Sequence, residues 1–168
     1  AWVEGEIRKT AAGIAVVYQI WDSARCRRLE AETVDGQPAN LRRLGKRIAD
    51  RVVAVLTGRS GVSETEVAFV STRTGNTEVF LMDADGGRAR SATRSRSLKS
   101  SPGWLPQGGA LLYTAFQKNG LPALFLTSRG GVRPGPFLRK TLAGRPKYRG
   151  VFSPKGDRVA IVSSINGE

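Results

Sequence analysis

Three short apolar segments recur along the chain: VAFVS at 67–71, LLYTA at 111–115 and VAIVS at 159–163. Phe69, Tyr113 and Ile161 occupy equivalent places, 44 and 48 residues apart. Each segment leads to a polar hairpin tip, TRTGN, FQKNG or SINGE. After the first two comes a second strand-like segment, EVFLMD or ALFLTS, closed by a glycine turn, ADGG or RGG. A longer phrase precedes the second and third: SPGWLPQGG at 101–109 and GVFSPKGD at 150–157 set Trp104 and Phe152 just ahead of a turn rich in Pro and Gly. Self-similarity at about 40–50 residues with several short strands per unit is the pattern of propeller blades. One such unit cannot bury both its faces alone. It stacks on its neighbours, so the same apolar positions recur in every copy. Trp104 and Phe152 are therefore expected to be core residues between copies rather than ligand contacts.

Ahead of the repeats the periodicity is different. WVEGEIR at 2–8, GIAVVYQIW at 13–21 and RRLEAETV at 27–34 read as an antiparallel meander. The segment 38–58 then carries Leu41, Leu44, Ile48, Val52, Val55 and Leu56 at three- and four-residue spacing, the stripe of an amphipathic helix packed on a sheet. Arg42, Arg43, Lys46, Arg47 and Arg51 fill its outer face, Pro38 stands near its start, and Gly58 can take the left-handed conformation that ends it. The period changes from helical to two across GRSGVSET at 58–65, which marks the boundary between domains 1–64 and 65–168. The expected fold is an α+β N-terminal domain, antiparallel strands plus one long helix, followed by a partial β-propeller of four-stranded blades.

Histidine is absent and Cys26 is the only cysteine, so histidine-based catalysis, a cysteine zinc cluster and an intrachain disulfide are all excluded. Cys26 is expected as a small, half-buried strand residue. Asp83 and Asp85 frame a turn and Glu4 and Glu6 alternate along a strand, so the carboxylates form no catalytic or metal-binding constellation. The expectation is a non-enzyme with no cofactor. No apolar run approaches the roughly 20 residues that cross a bilayer, and AWVEGEIRK lacks the pattern of a signal peptide.

The net charge of +13 is uneven: residues 1–64 carry 11 basic and 8 acidic side chains, residues 65–168 carry 16 and 6. Its densest run, RARSATRSRSLK at 88–99, lacks the interleaved aromatics that stack on bases. Specific nucleic-acid binding is not expected. A solvated basic edge and a surface for an anionic partner both remain open.

The repeat phrases resemble those of the TolB family of the Tol-Pal envelope system. TEVFLMDADGG nearly matches a family strand and turn, EIYLMDADG, while SPGWLPQGG and GVFSPKGDRVAIVSS follow PAWSPDG and KIAYTS more loosely. Earlier in the chain AWVEGEI, VVYQIWD, LRRLGKRIADRVVAVLTG and RSGVSETEVAFVS follow the family's strand, helix and junction in the same order. The resemblance runs from residue 2 to residue 167. Three departures stand out. The family's helix histidine falls near Gly45 and Lys46, the junction arginine is Glu66, and the turn aspartate of SPDG is Gln107 in one repeat and Lys155 in the next. The last removes a turn-bracing side chain twice.

The resemblance implies TolB/WD40-like blades, beginning at Thr65, Lys99 and Arg149, in a segment of a longer periplasmic protein whose signal peptide and TolA-contacting segment lie ahead of Ala1. It implies a monomeric, non-enzymatic scaffold that binds the Pal lipoprotein and links it to the inner-membrane Tol complex, without inserting in the membrane. Envelope integrity, cell division and protein import are the processes it would serve. By the same resemblance Pal docks on loops leading into the innermost strands, here 94–100 and 145–149. Arg94, Arg96, Lys99, Lys147, Tyr148 and Arg149 are the candidate contacts. Two other readings stay open: the propeller of a prolyl-oligopeptidase-type serine peptidase with its catalytic domain beyond Glu168, and a basic propeller that binds polyanions.

Overall fold

A computed structural model describes residues 1–131 and 134–164. The chain divides into two compact units, Ala1–Thr65 and Glu66–Glu168.

In the first unit, β1 (Trp2–Thr10), β2 (Gly13–Asp22) and β3 (Arg27–Gly36) form an antiparallel meander with β2 in the middle. Ile14, Tyr18 and Ile20 of β2 share one face and are buried, as strand alternation requires. After a 3₁₀ turn at Pro38–Asn40, helix α1 (Leu41–Thr57) lies along β3. It ends at Gly58, whose φ of 70° is left-handed and whose N–H donates to the Ala54 carbonyl. Leu44 is buried and Ile48, Val52 and Val55 are half-buried, whereas Leu41 and Leu56 at the two ends of the stripe are exposed.

Two expectations change here. Lys46, read from sequence as an outer-face residue, is buried. The polar segment after the helix folds back over that flank: the Ser63 N–H donates to Asp50 Oδ1 at 2.8 Å and Arg43 pairs with Glu64 at 3.2 Å. Lys46 thereby shares the flank with Asp50, whose carboxyl is held below its ordinary value first by the Ser63 N–H and also by the Lys46 charge. Cys26, expected half-buried in a strand, is exposed in the β2–β3 turn with φ 47°. Asp22 Oδ1 accepts the Ala24 and Arg25 N–H groups, which begins the turn before the cysteine is reached.

The second unit is a series of antiparallel meanders. β4 (Glu66–Ser71), β5 (Glu78–Asp83) and β6 (Arg90–Ser91) form one sheet. β7 (Lys99–Trp104), β8 (Ala110–Phe116), β9 (Pro122–Ser128) and β10 (Gly135–Pro136) form the next, and β11 (Lys147–Phe152) pairs with β12 (Val159–Ser163). Among the described residues only the β7–β10 sheet has four strands. The third hairpin tip lies, from residue 165 on, outside the described residues.

The sequence repeat is reproduced pair by pair in the register. Lys99 opposes Ala115 and Trp104 opposes Leu111 in one sheet; 48 residues later Lys147 opposes Ser163 and Phe152 opposes Val159. The turns repeat as well. The Leu105 N–H bonds the Ala110 carbonyl and the Gly108 N–H the Leu105 carbonyl; the Ser153 N–H bonds Arg158 and the Gly156 N–H bonds Ser153 in the same way. Each turn therefore closes without the family's aspartate. Backbone bonds and a left-handed glycine, Gly108 or Gly156, hold it. In the second turn the Ser153 hydroxyl also donates to Asp157 at 2.7 Å and accepts the Arg158 N–H, so a side-chain brace returns from other positions.

The core lies between successive sheets. Val79, Leu81 and Ala92 meet Leu111, Tyr113 and Ala115 in one buried cluster, with Ala68, Trp104 and Phe125 packed against it. Each fully buried aliphatic there stabilises by about 1.5–3 kcal/mol. β11 lies on β7, β8 and β9 in turn. Its Gly150 faces Leu112 and Leu124, and Phe152 meets Phe137 at 5.7 Å between ring centroids. Trp104 and Phe152 are thus packing residues between sheets. Among the described residues no helix is long and apolar enough to cross a membrane.

Candidate functional site

The two loops that lead into β7 and β11 are built alike. Each ends in a buried lysine, Lys99 or Lys147, at the first position of its strand. Each strand then bulges, between Ser100 and Gly103 or between Tyr148 and Gly150. Ser101 and Arg149, 48 residues apart, both take positive φ within the bulge, 51° and 40°. Side chains other than glycine rarely adopt that region. The same backbone device is used twice, and at the second the Arg149 N–H is tied to the buried Thr114 hydroxyl at 3.1 Å.

Lys99 is the hub of the first loop. Its ammonium donates to the carbonyls of Thr77, Ser95 and Ser97 and pairs with Glu78 at 2.9 Å, with the two side chains only 1% and 5% exposed. Glu78 also accepts the Thr93 hydroxyl and the Ser95 N–H. Burial pushes the Glu78 carboxyl up, but hydrogen bonds from Thr93, Ser95 and Lys99 together outweigh it and hold the group below its ordinary value. Beneath, burial and the Glu78 charge push the Tyr113 hydroxyl up to about 12. In the second loop Lys147 donates to the carbonyls of Leu142 and Arg145 at 2.8 and 3.4 Å.

Of the six candidate contacts, Arg94, Arg96, Tyr148 and Arg149 are exposed, whereas Lys99 and Lys147 are turned inward onto their own loops. The latter two shape the surface that the other four present. The basic run 88–99 divides in the same manner. Arg88 forks Asp83 at 2.8 and 3.0 Å, and Arg90 binds Glu66, which also accepts Arg129 at 2.5 Å. Burial raises the Glu66 carboxyl, and the two arginines more than offset it. No described residue hydrogen-bonds or ion-pairs with Arg94 or Arg96. The loop 134–149 carries Arg139, Lys140, Arg145, Lys147 and Arg149 and no acidic residue, so a partner rich in carboxylates is the electrostatic complement.

Glu78, Thr93 and Thr114, which shape these loops, escaped the sequence reading. The one signal available was the shared lysine of KSSPGW and KYRGVF, five residues before each aromatic. Among the described residues no group of histidine, cysteine or carboxylates could hold a metal ion.

Comparison with known proteins points one way. No family model matches the chain. It is 35% identical over 111 residues to the Tol-Pal system protein TolB of Bordetella pertussis, 66% of this chain and 25% of that protein. It is 28% identical over 164 residues to the TolB of Alcanivorax borkumensis, 95% of this chain and 37% of that one. Against the crystal structure of TolB from Acinetobacter baumannii the TM-score is 0.81 at 26% identity, covering 98% of this chain and 41% of that structure. A putative TolB from Agrobacterium tumefaciens matches with a TM-score of 0.52 at 13% identity, over 89% of this chain and 50% of that one, a likeness of fold alone. The chain spans 25–41% of the length of the TolB proteins of Bordetella, Alcanivorax and Acinetobacter.

Proposed function

We propose, for a chain that is TolB-like in sequence and structure, that it acts as a non-enzymatic docking element of a periplasmic Tol-Pal system. In this reading the successive sheets of the second unit are blades of a β-propeller. The loops leading into β7 and β11 form a face that binds the lipoprotein Pal and so links it to the inner-membrane Tol complex. The observation that carries the reading is the pair of equivalent loops, each braced from beneath by a buried lysine and each presenting exposed cations, Arg94 and Arg96 on one and Arg149 beside Tyr148 on the other. An exposed tyrosine beside an arginine on a braced loop is of the residue types that dominate binding energy at protein interfaces. The likeness along both units weighs against the peptidase-gating reading.

Binding of the full-length protein to purified Pal tests this, with Arg94→Glu/Arg96→Glu and Tyr148→Ala/Arg149→Glu as loop variants. Each variant is expected to weaken binding about tenfold or more. Absence of Pal binding by the unaltered protein, or binding by both variants as tight as that of the unaltered protein, overturns the reading. General polyanion binding draws on the same arginines, but Arg88, Arg90 and Lys99 are already neutralised within the fold. Only affinity that survives physiological salt would favour it.

A further inference from the structure

The two loops differ in one respect that the repeat makes visible. Ser71 and Ala115 are equivalent repeat positions. Across the hairpin Ser71 opposes Glu78, and Ala115 opposes Ala123. Farther along, the Ala92 N–H bonds the Val79 carbonyl and the Phe137 N–H bonds the Leu124 carbonyl, both at 2.8 Å, which makes Thr93 and Leu138 equivalent. In the first repeat Glu78, held by the Thr93 hydroxyl, pairs with Lys99. In the second, the lysine is kept as Lys147, but the carboxylate has become Ala123 and its hydroxyl partner Leu138. A pocket of about 160 Å³ has opened there, with Ala123, Leu124, Phe137, Leu138, Arg145 and Lys147 on its walls.

We propose that this pocket receives an acidic side chain, glutamate or aspartate, from a docking peptide, which completes at Lys147 the ion pair that Glu78 supplies to Lys99. Lys147 is 6% exposed, and its ammonium meets only the Leu142 and Arg145 carbonyls among the described residues. An ammonium has three protons to donate, and a charged acceptor makes the stronger bond. Arg139 and Arg145 add positive charge at the rim, while Ala123, Leu124 and Leu138 offer apolar contact to methylene groups. The volume is smaller than the roughly 300–1,000 Å³ of small-molecule sites. It suits one side chain rather than a whole metabolite. The identity of the peptide rests on the docking reading above; the pocket's chemistry does not.

The test uses amide NMR of the chain titrated with N-acetyl-glutamate N-methylamide and with the matching glutamine compound. Shifts around Ala123, Leu138 and Lys147 are expected with the glutamate probe, and binding about tenfold weaker with glutamine. Ala123→Glu, which installs the sister repeat's own carboxylate, is expected to abolish the response while leaving the unfolding midpoint equal or higher. Lys147→Met is expected to abolish it too, and decides the matter should the first variant not fold. Equal response to both probes, or an undiminished response in the folded variants, overturns the proposal. Pal binding to the full-length protein separates the two readings. If Pal binds and the glutamate probe does not, the pocket assignment falls and docking stands; if the glutamate probe binds and Pal does not, the reverse holds.

Discussion

Gln107 and Lys155 stand at the same place in successive repeats, 48 residues apart, and touch: the Gln107 side-chain amide donates to the Lys155 carbonyl at 3.4 Å. Gly156 leaves room for that amide, since a Cβ there would fall 3.1 Å from Gln107 Nε2. Positions that correspond in sequence thus stack in space, turn upon turn. The same holds for the strands between, where β7 lies against β4 and β5 and β11 against β7, β8 and β9. Periodicity and packing are one arrangement: each sheet supplies the cover its predecessor lacks.

The two buried lysines should respond differently to loss of charge. Lys99→Met strands the buried Glu78 carboxylate and is expected to cost about 3–5 kcal/mol. Lys147→Met forfeits two carbonyl hydrogen bonds and no ion pair, and is expected to cost about 1–2 kcal/mol. Urea unfolding of the two variants side by side measures the difference, and equal losses would refute the asymmetry between the loops.

Glu66 and Glu78 make stability depend on acid. Both carboxyls lie below their ordinary value of 4.5 in the folded chain. Their contribution is therefore complete above that pH and is lost as pH falls through the folded values. Unfolding temperatures should fall as pH is lowered from about 5 to about 3. The drop should be shallower in Glu66→Gln, which itself costs about 1–2 kcal/mol at neutral pH because its arginine partners are partly solvated.

Two glycines are expected to give opposite signs when changed to alanine. At Gly150 a Cβ would lie 2.3 Å from Leu112 Cδ2 and 3.3 Å from Leu124 Cδ1, and both leucines are fully buried. Gly150→Ala should destabilise by about 1–3 kcal/mol. At Gly45, inside α1, a Cβ meets nothing within 4 Å. Gly45→Ala should stabilise by about 0.5–1 kcal/mol. Thermal unfolding of both proteins checks the pair.

Trp104 packs against the inter-sheet core, yet its indole N–H is buried without a partner among the described residues. Trp104→Phe removes apolar area and an unsatisfied donor together, so its cost should stay within about 1 kcal/mol. Trp104→Ala also removes the donor but loses nearly all the apolar bulk and leaves a cavity, and should cost about 3–5 kcal/mol. Calorimetry that found the two variants equally unstable would contradict the packing role.

What the sequence determined is what local pattern can carry. Alternation in 13–21 marks β2, three- and four-residue spacing from Leu44 to Val55 marks α1, and the recurrence of Phe69, Tyr113 and Ile161 marks strands that must be covered by neighbours. The exposed arginines and Tyr148 were legible too, because polar residues on strand-leading loops face solvent by default. The tertiary structure alone decided the fate of Lys46, Lys99 and Lys147. Whether a cation is buried depends on which carbonyls and carboxylates other strands bring to it, and Glu78 reaches Lys99 from a neighbouring sheet, 21 residues back in the chain. No period along the sequence encodes that meeting. It follows from sheets stacking face to face, which turns a solvated charge into a buried hydrogen-bonded one and, where Ala123 replaces the acid, leaves a pocket.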